Sequence, residues 1–447
     1  MNTPICDFVQ KYNNRNAVRL HMPGHKGVSI LGPETLDITE IDGADVLYQS
    51  NGIIKESENN ASTLFGTAKT LYSTEGSSLC IRAMLHMVKL YSASKGIKPV
   101  IAAARNAHKV FITAAALLDI DIAWLYSENN ELLSCSLDID KLDKFLHDQQ
   151  PTAVYITSPD YLGNMVDIEK ISKLCHSHDC ILIVDNAHGA YLKFLPKSLH
   201  PIDLGADICC DSAHKTLPVL TGGAYLHISE NAPKQFIEQS ENSMSLFAST
   251  SPSYLILQSL DKANVILDND FRSNLNDTLK SISELKQSIT QSGYTVIGDE
   301  PLKLTIFAKD YGYTGNELAS ILENENIVCE FFDPDFVVMM FSYQTSTKDI
   351  NYLKSKLKSI PKLNAINERP PILKHPQMLI RPNIALMSPF VITDVKEAEG
   401  KILASASVNC PPAIPIVTCG ELIDDSAVRC FEYYGIKKCY TVIENKE

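Results

Sequence analysis

Along the first half of the chain, short apolar runs alternate with stretches whose apolar residues recur at helical spacing. The runs at 99–104, 120–126, 152–158, 181–185 and 206–211 are of buried-strand type, and Ala224-Tyr-Leu-His-Ile228 continues the series. Between them, segments such as Leu79 to Tyr91 place apolar side chains three and four positions apart, as one face of a helix requires. This alternation predicts an α/β fold, a mostly parallel sheet covered by helices. One long helix is expected from about 254 to 290. The pattern then changes. Leu302-Lys-Leu-Thr-Ile-Phe307 reads as a strand, 315–325 as a helix, and 327–332 and 336–342 as strands, which predicts a smaller α+β domain. Pro361 to Gln377 is the most linker-like stretch, and Asn409-Cys-Pro-Pro-Ala-Ile-Pro415 is too rich in proline for regular structure. The expected organisation is an N-terminal arm (1–50), a large domain (51–290), a small domain (291–360), and a linker with a C-terminal domain (361–447).

The polar residues that end these runs bring in chemistry. At the carboxyl ends of neighbouring strands in a parallel sheet, polar side chains face one crevice. One run ends in Asp185-Asn-Ala-His188 and the next in Asp211-Ser-Ala-His-Lys215, so Asp185, His188, Ser212, His214 and Lys215 should converge. A carboxylate, two imidazoles, a hydroxyl and a lysine are what a pyridoxal phosphate site needs. The lysine forms a Schiff base and the carboxylate keeps the pyridine nitrogen protonated. Gly76-Ser-Ser78 opens the helix that begins near Leu79, and such a turn offers N–H groups, hydroxyls and a positive dipole end to a phosphate. Serines there are also common helix N-caps, and taken alone the cap reading is favoured. Arg105-Asn-Ala-His108 ends the 99–104 strand, where a histidine can stack on a planar cofactor, although a lone histidine is more often simply packed. Together, a phosphate turn, His108, Asp185 and Lys215 form an ordered set that outweighs the bland reading of each.

Composition narrows the setting. The 447 residues are 45% hydrophobic and 21% charged, ordinary for a globular protein of two or three domains. A net charge of −13 without a basic cluster argues against nucleic acid or an anionic membrane as partner. The twelve cysteines are scattered, two of them adjacent at Cys209-Cys210, and Met1 to Asp7 lacks the basic-then-apolar pattern of a signal peptide. Reduced thiols in the cytoplasm are therefore expected. The apolar run Val110 to Leu118 is too short to span a membrane. Cys175-His-Ser-His-Asp-Cys180 has four metal-competent side chains but no second ligand cluster of finger spacing, so a helix end is expected there and no metal.

The motifs resemble those of the bacterial Orn/Lys/Arg decarboxylase family, in its short form without the N-terminal wing domain. The matching pieces are His21-Met-Pro-Gly-His-Lys-Gly27, Thr39-Glu-Ile-Asp-Gly43, Gly76-Ser-Ser78 and Arg105-Asn-Ala-His-Lys109. They continue in Asp185-Asn-Ala-His-Gly189, Ser212-Ala-His-Lys-Thr-Leu-Pro218 and Thr250-Ser-Pro-Ser-Tyr254, then in Pro411-Pro-Ala-Ile-Pro415 and Gly420-Glu-Leu-Ile423. The resemblance covers nearly the whole chain. It implies an aspartate-aminotransferase-like (fold type I) large domain, and decarboxylation of arginine, lysine or ornithine to a polyamine-type amine, with arginine favoured.

Residue by residue, the resemblance implies that Lys215 binds the cofactor covalently, Asp185 pairs with its pyridinium nitrogen, and His108 stacks on the ring. Gly76, Ser77, Ser78, Ser212 and His214 would hold the phosphate, Ala187 would pack on the ring and His188 would line the pocket. Thr250 would reach the phosphate of a neighbouring subunit's cofactor, which makes a homodimer the minimal active unit, open to further assembly. Glu421 is the candidate for the cationic end of the substrate. Three positions depart from the family pattern: Glu75 stands where Asn is typical, Asn186 replaces an acidic residue, and Ala44-Asp-Val-Leu-Tyr48 differs from the usual Leu-Asp-Asp-Leu-His. The alternatives are another reaction of the same cofactor, such as an aminotransferase or lyase, for which no Arg other than Arg381 offers itself as an in-plane carboxylate clamp and none is obviously placed, and an impaired relative acting as a binding or regulatory protein.

Overall fold

The computed structural model describes residues 1–127, 136–410 and 414–443. Pro411 to Ala413 of the C-terminal motif therefore lie outside the described residues. The chain opens with α1 (Pro4–Asn14) and α2 (Ile53–Phe65), followed by β1 (Lys69–Ser73) and the 19-residue α3 (Gly76–Ser94). Strict alternation follows, through β2 (Val100–Ala104), α4 (Lys109–Leu117), β3 (Asp121–Leu125) and α5 (Ile139–Gln149). It continues with β4 (Ala153–Thr157), α6 (Ile168–Ser177) and β5 (Ile181–Asp185). Next come β6 (Ile208–Asp211), the single-turn α7 (Ala213–Thr216) and β7 (Ala224–Ile228). These strands form one seven-stranded sheet of order β1-β7-β6-β5-β4-β2-β3. The pairs β5–β6 and β2–β3 run parallel, while β7 is antiparallel to both β6 and β1. This is the large, mostly parallel α/β sheet that the pattern predicts. Every residue of β5 is buried, which explains why Ile181-Leu-Ile-Val184 is continuously apolar instead of alternating.

By its internal contacts the chain falls into two units. The first comprises Met1–Lys98, Thr152–Val154 and Asp167–Leu275, and the second Pro99–Pro151, Tyr155–Val166 and Asn276–Glu447. In the first, α1 is pinned by a carboxylate distant in sequence: Asp261 Oδ2 accepts from the N–H groups of Ile5 and Cys6 at 3.0 and 2.9 Å. Those donors belong to the first turn, which has no partner within its own helix. The segment expected as one long helix is divided. After α8 (Lys234–Ser245), α9 (Tyr254–Asp268) ends at Asn269, and α10 (Phe271–Gln291) begins two residues later. Asn269 leaves the helical region (φ −99°, ψ −116°) and its side-chain amide donates to Val265 O at 2.8 Å. Asn and Asp compete for backbone hydrogen bonds in this way, and apolar periodicity does not register it.

The second unit holds β8 (Thr295–Ile297), β9 (Lys303–Phe307), α11 (Gly315–Asn324), β10 (Phe331–Phe332), β11 (Phe336–Met340) and α12 (Thr347–Ser359). Its antiparallel sheet has the order β10-β11-β9-β8. Then come α13 (Pro382–Met387), β12 (Phe390–Asp394), β13 (Ser407–Cys410), β14 (Ile414–Thr418), α14 (Asp425–Tyr433) and β15 (Lys438–Val442). A core of Leu162, Val338, Leu403, Ile416, Ile423 and Phe431 binds these pieces together. One expectation fails here. The proline-rich stretch is not irregular throughout, since β13 and β14 pair antiparallel from Ser407↔Thr418 to Cys410↔Ile414. The register shifts between Val408 and Asn409, and an irregularity of that kind is where a strand accommodates a residue such as Pro415, which has no N–H to give. Among the described residues no helix is long and apolar enough to cross a membrane.

Candidate functional site

Strands β5 and β6 lie side by side in parallel with Asp185 opposite Cys210, so the polar residues after each strand emerge together. Lys215 Nζ reaches His188 Nε2 at 2.7 Å. His188 and Asp185 are buried, whereas Lys215 remains half-buried. The Asp185 carboxylate accepts from the Ala187 N–H at 3.2 Å, and the Cys210 thiol lies 3.7 Å from the same oxygen. Of the five residues expected to converge, Lys215 and His188 are in direct contact, and Asp185 ends the strand beside the one that leads into Ser212 and His214.

The start of α3 completes this arrangement. Its N-cap position is Glu75, with no side-chain cap, so Ser77 and Ser78 sit inside the first turn and are not themselves caps. Ser212 Oγ donates to Ser77 Oγ at 2.8 Å, bringing the α7 loop and the head of α3 together. Gly76 takes a left-handed φ of +69°, and its N–H donates to Gly222 O at 2.7 Å. Gly222 is itself at φ +98°, where a Cβ would come 2.9 Å from Thr74 O, so both its conformation and its closeness to the 74–76 turn require glycine at 222. His214 donates from Nδ1 to Gly223 O at 2.9 Å, which leaves Nε2 as an acceptor in the neutral ring. Burial lowers the affinity of His214 for a proton, the bond to Gly223 opposes this, and neighbouring Lys215 adds to the lowering. An uncapped helix N-terminus, clustered hydroxyls, a lysine and a buried carboxylate suit the phosphate, aldehyde and pyridine ends of pyridoxal phosphate.

The departures from the family pattern find local explanations. Glu75 Oε1 accepts from the Ser249 N–H at 2.7 Å, which turns its charge toward the exposed loop that carries Thr250. The Tyr48 hydroxyl donates to Tyr72 O at 2.9 Å, anchoring the 44–48 segment to the end of β1. Asn186 Nδ2 donates to Asp211 Oδ1 at 2.7 Å, so the carboxylate absent from position 186 is present beside it. Sequence reading missed Asp211, although it ends β6 immediately before Ser212; its neighbours His200 and His227 are too distant in sequence to signal the contact. His200, Cys209 and Asp211 bring donor atoms within 4.8 Å of one another, a spacing a metal ion can bridge.

Two expected site residues lie in the second unit. His108 is the N-cap of α4, its Nδ1 accepting from the Val110 N–H at 3.2 Å, and it remains partly exposed. The role expected of Glu421 needs correction. Its carboxylate is fully buried and takes both Arg105 guanidinium nitrogens, at 2.8 and 2.7 Å, as well as the Thr418 N–H at 2.7 Å. Glu421 thus joins the Pro-rich C-terminal segment to the Arg105-Asn-Ala-His108 loop, and its oxygens are not presented to a substrate. Arg381 is engaged as well, with Asp119 and Asp121 each at 2.8 Å.

Residues 3–299 match the family described as "Orn/Lys/Arg decarboxylase, major domain". The chain is 29% identical to the arginine decarboxylase of Bacillus subtilis (strain 168), over 95% of this chain and 92% of that protein. Its fold is similar to that of the Francisella novicida lysine decarboxylase LdcF, with a TM-score of 0.81 at 17% identity, covering 99% of this chain and 81% of the other. Lysine decarboxylase A from Pseudomonas aeruginosa gives a TM-score of 0.82 at 16% identity, with 98% and 80% coverage.

Proposed function

Because the chain belongs to the Orn/Lys/Arg decarboxylase family, we propose that it removes the α-carboxyl group of a basic amino acid with the help of pyridoxal phosphate, and that arginine is its preferred substrate. The observation behind this reading is the approach of Lys215 to His188 beside the uncapped head of α3. Arginine is favoured because the relatives that match at 26–29% identity over nearly the whole chain include four named arginine decarboxylases.

The residues divide the work. Ser77, Ser78, Ser212 and the first turn of α3 would hold the phosphate, and Lys215 the aldehyde carbon. Asp185 would face the pyridine nitrogen, with His108 against the ring. When bound, the cofactor accepts the electron pair left as carbon dioxide departs. Lys215 Nζ and His188 Nε2 can exchange a proton across their hydrogen bond, so either would be able to supply the proton returned to the substrate carbon. We further propose that Thr250 completes the site of a second copy. Its exposed loop supports a homodimer, as do the largely exposed apolar residues Val18, Leu20, Ile30 and Leu31 of the N-terminal arm. Free buried thiols support a reducing cytoplasm, and the amine product supports a place in polyamine synthesis.

The test is reconstitution with pyridoxal phosphate, then separate addition of arginine, lysine and ornithine with carbon dioxide and amine measured. The expected result is fastest release from arginine, with cofactor absorbance and activity both lost in Lys215→Ala. Stable cofactor binding without carbon dioxide from any of the three would overturn the reading.

A further inference from the structure

We propose that Asp211 is a positioning residue that holds the Asp185 strand end in register with the Lys215 strand end, with Asn186, His200 and His227 as its fixed partners. The proposal rests on the cofactor reading above and extends it to a layer of residues beneath the site.

All four side chains belong to residues with no solvent exposure. Asp211 Oδ1 receives the Asn186 amide at 2.7 Å. Oδ2 faces His200 Nε2 at 3.1 Å and His227 Nε2 at 3.3 Å. An isolated buried carboxylate is costly, so these partners fix where Asp211 can lie. A carboxylate only accepts hydrogen bonds, which obliges Asn186 to present its nitrogen and to turn its oxygen away. That oxygen points at Gly189, where a Cβ would stand 2.0 Å from it, so the amide has one orientation and residue 189 one identity. The backbone repeats the tie, with Asn186 N–H donating to Cys210 O at 3.0 Å. Asn186 lies between Asp185 and Ala187, the N–H of which fixes the Asp185 carboxylate, while Asp211 directly precedes Ser212 and the turn ending in Lys215. The side-chain bond from Asn186 to Asp211 thus adds to the backbone tie in setting the spacing between the two residues that would grip opposite ends of the cofactor ring.

A charge-exchange cycle tests this. Asn186→Asp places two carboxylates at the 2.7 Å contact, where they repel. Adding Asp211→Asn restores a carboxylate–amide pair with the partners exchanged, and the new amide oxygen still faces both histidines. Apoprotein affinity for pyridoxal phosphate is read by absorbance titration, with apoprotein melting temperature alongside, then kcat and KM with arginine. Asn186→Asp is expected to weaken cofactor affinity about tenfold or more, and to lower kcat with KM for arginine changed less than about twofold. The double variant should recover affinity to within about threefold of the parent. The proposal is overturned if the double variant binds no better than Asn186→Asp, if Asn186→Asp binds like the parent, or if affinity merely follows the folded fraction. Should the parent protein release no carbon dioxide from any basic amino acid, the decarboxylase reading fails, while the affinity cycle still decides the role of Asp211.

Discussion

Glu75 reaches across to the backbone of Ser249, 174 positions further along the chain, and accepts its N–H at 2.7 Å. A carboxylate at the head of a phosphate-binding helix would repel the ligand, and this bond gives the charge another occupation. Glu75→Asn keeps an acceptor there, and cofactor affinity should stay within about threefold of the parent. Glu75→Ala removes the acceptor and releases the loop bearing Thr250, so affinity should fall about fivefold, the equivalent of one exposed hydrogen bond. Absorbance titration with pyridoxal phosphate distinguishes the two. Equal affinity in both variants would show that the loop does not depend on Glu75.

Glu421 offers the opposite case, a carboxylate wholly committed to the fold. Removing one partner of a buried ion pair leaves the other charge stranded, at a cost of about 3–5 kcal/mol. Glu421→Ala should lower the melting temperature sharply without selectively raising KM for arginine over lysine. A selective KM effect in a normally stable variant would return Glu421 to the substrate pocket.

His188 holds Lys215 at 2.7 Å from a buried position. Replacing it with Gln retains hydrogen-bonding capacity but removes a group able to gain and lose a proton. Cofactor binding should survive in His188→Gln while kcat falls by about 10²-fold, the low end for a general acid–base group. Single-turnover measurements locate the loss, and an unchanged kcat would leave proton transfer to Lys215 alone.

Within α2, Glu58 is buried, and burial pushes its carboxyl up to about 7 from an ordinary 4.5. The folded protein therefore holds a proton that the unfolded chain releases between those values. Stability from this group is fully present below about 4.5 and is lost as pH rises through about 7, on the order of 3 kcal/mol in all. Glu58→Gln keeps an acceptor for the Tyr72 N–H and has nothing to ionise. The variant should melt higher than the parent at pH 8 and close to it at pH 5. Parallel melting curves at both values would contradict this account.

Much of this molecule was legible before its structure. The strands announced themselves because buried parallel strands are continuously apolar, and the meeting of His188 and Lys215 follows from where those strands end. The break at Asn269 was hidden because it depends on a side-chain bond to Val265, not on periodicity. Glu421 was misassigned because its partner Arg105 lies 316 residues away, and a carboxylate near a motif looks the same whether it faces solvent or a guanidinium. The pairing of β13 with β14 is hidden in the sequence because proline content does not reveal the register shift between Val408 and Asn409.

The cysteines scattered through this chain gain a use from their burial. Cys80, Cys209 and Cys210 are buried beside the site, and burial pushes their thiols far above the ordinary range. The thiolate is the form that attacks an alkylating reagent, so in the native protein these sulfurs are shielded both by access and by protonation. Each becomes reactive only when its own element opens, α3 for Cys80 and β6 for Cys209 and Cys210. The rate at which iodoacetamide marks Cys209 and Cys210 is thus a clock for the opening of β6, the strand that leads into Lys215. It can be read by mass spectrometry, with no label introduced.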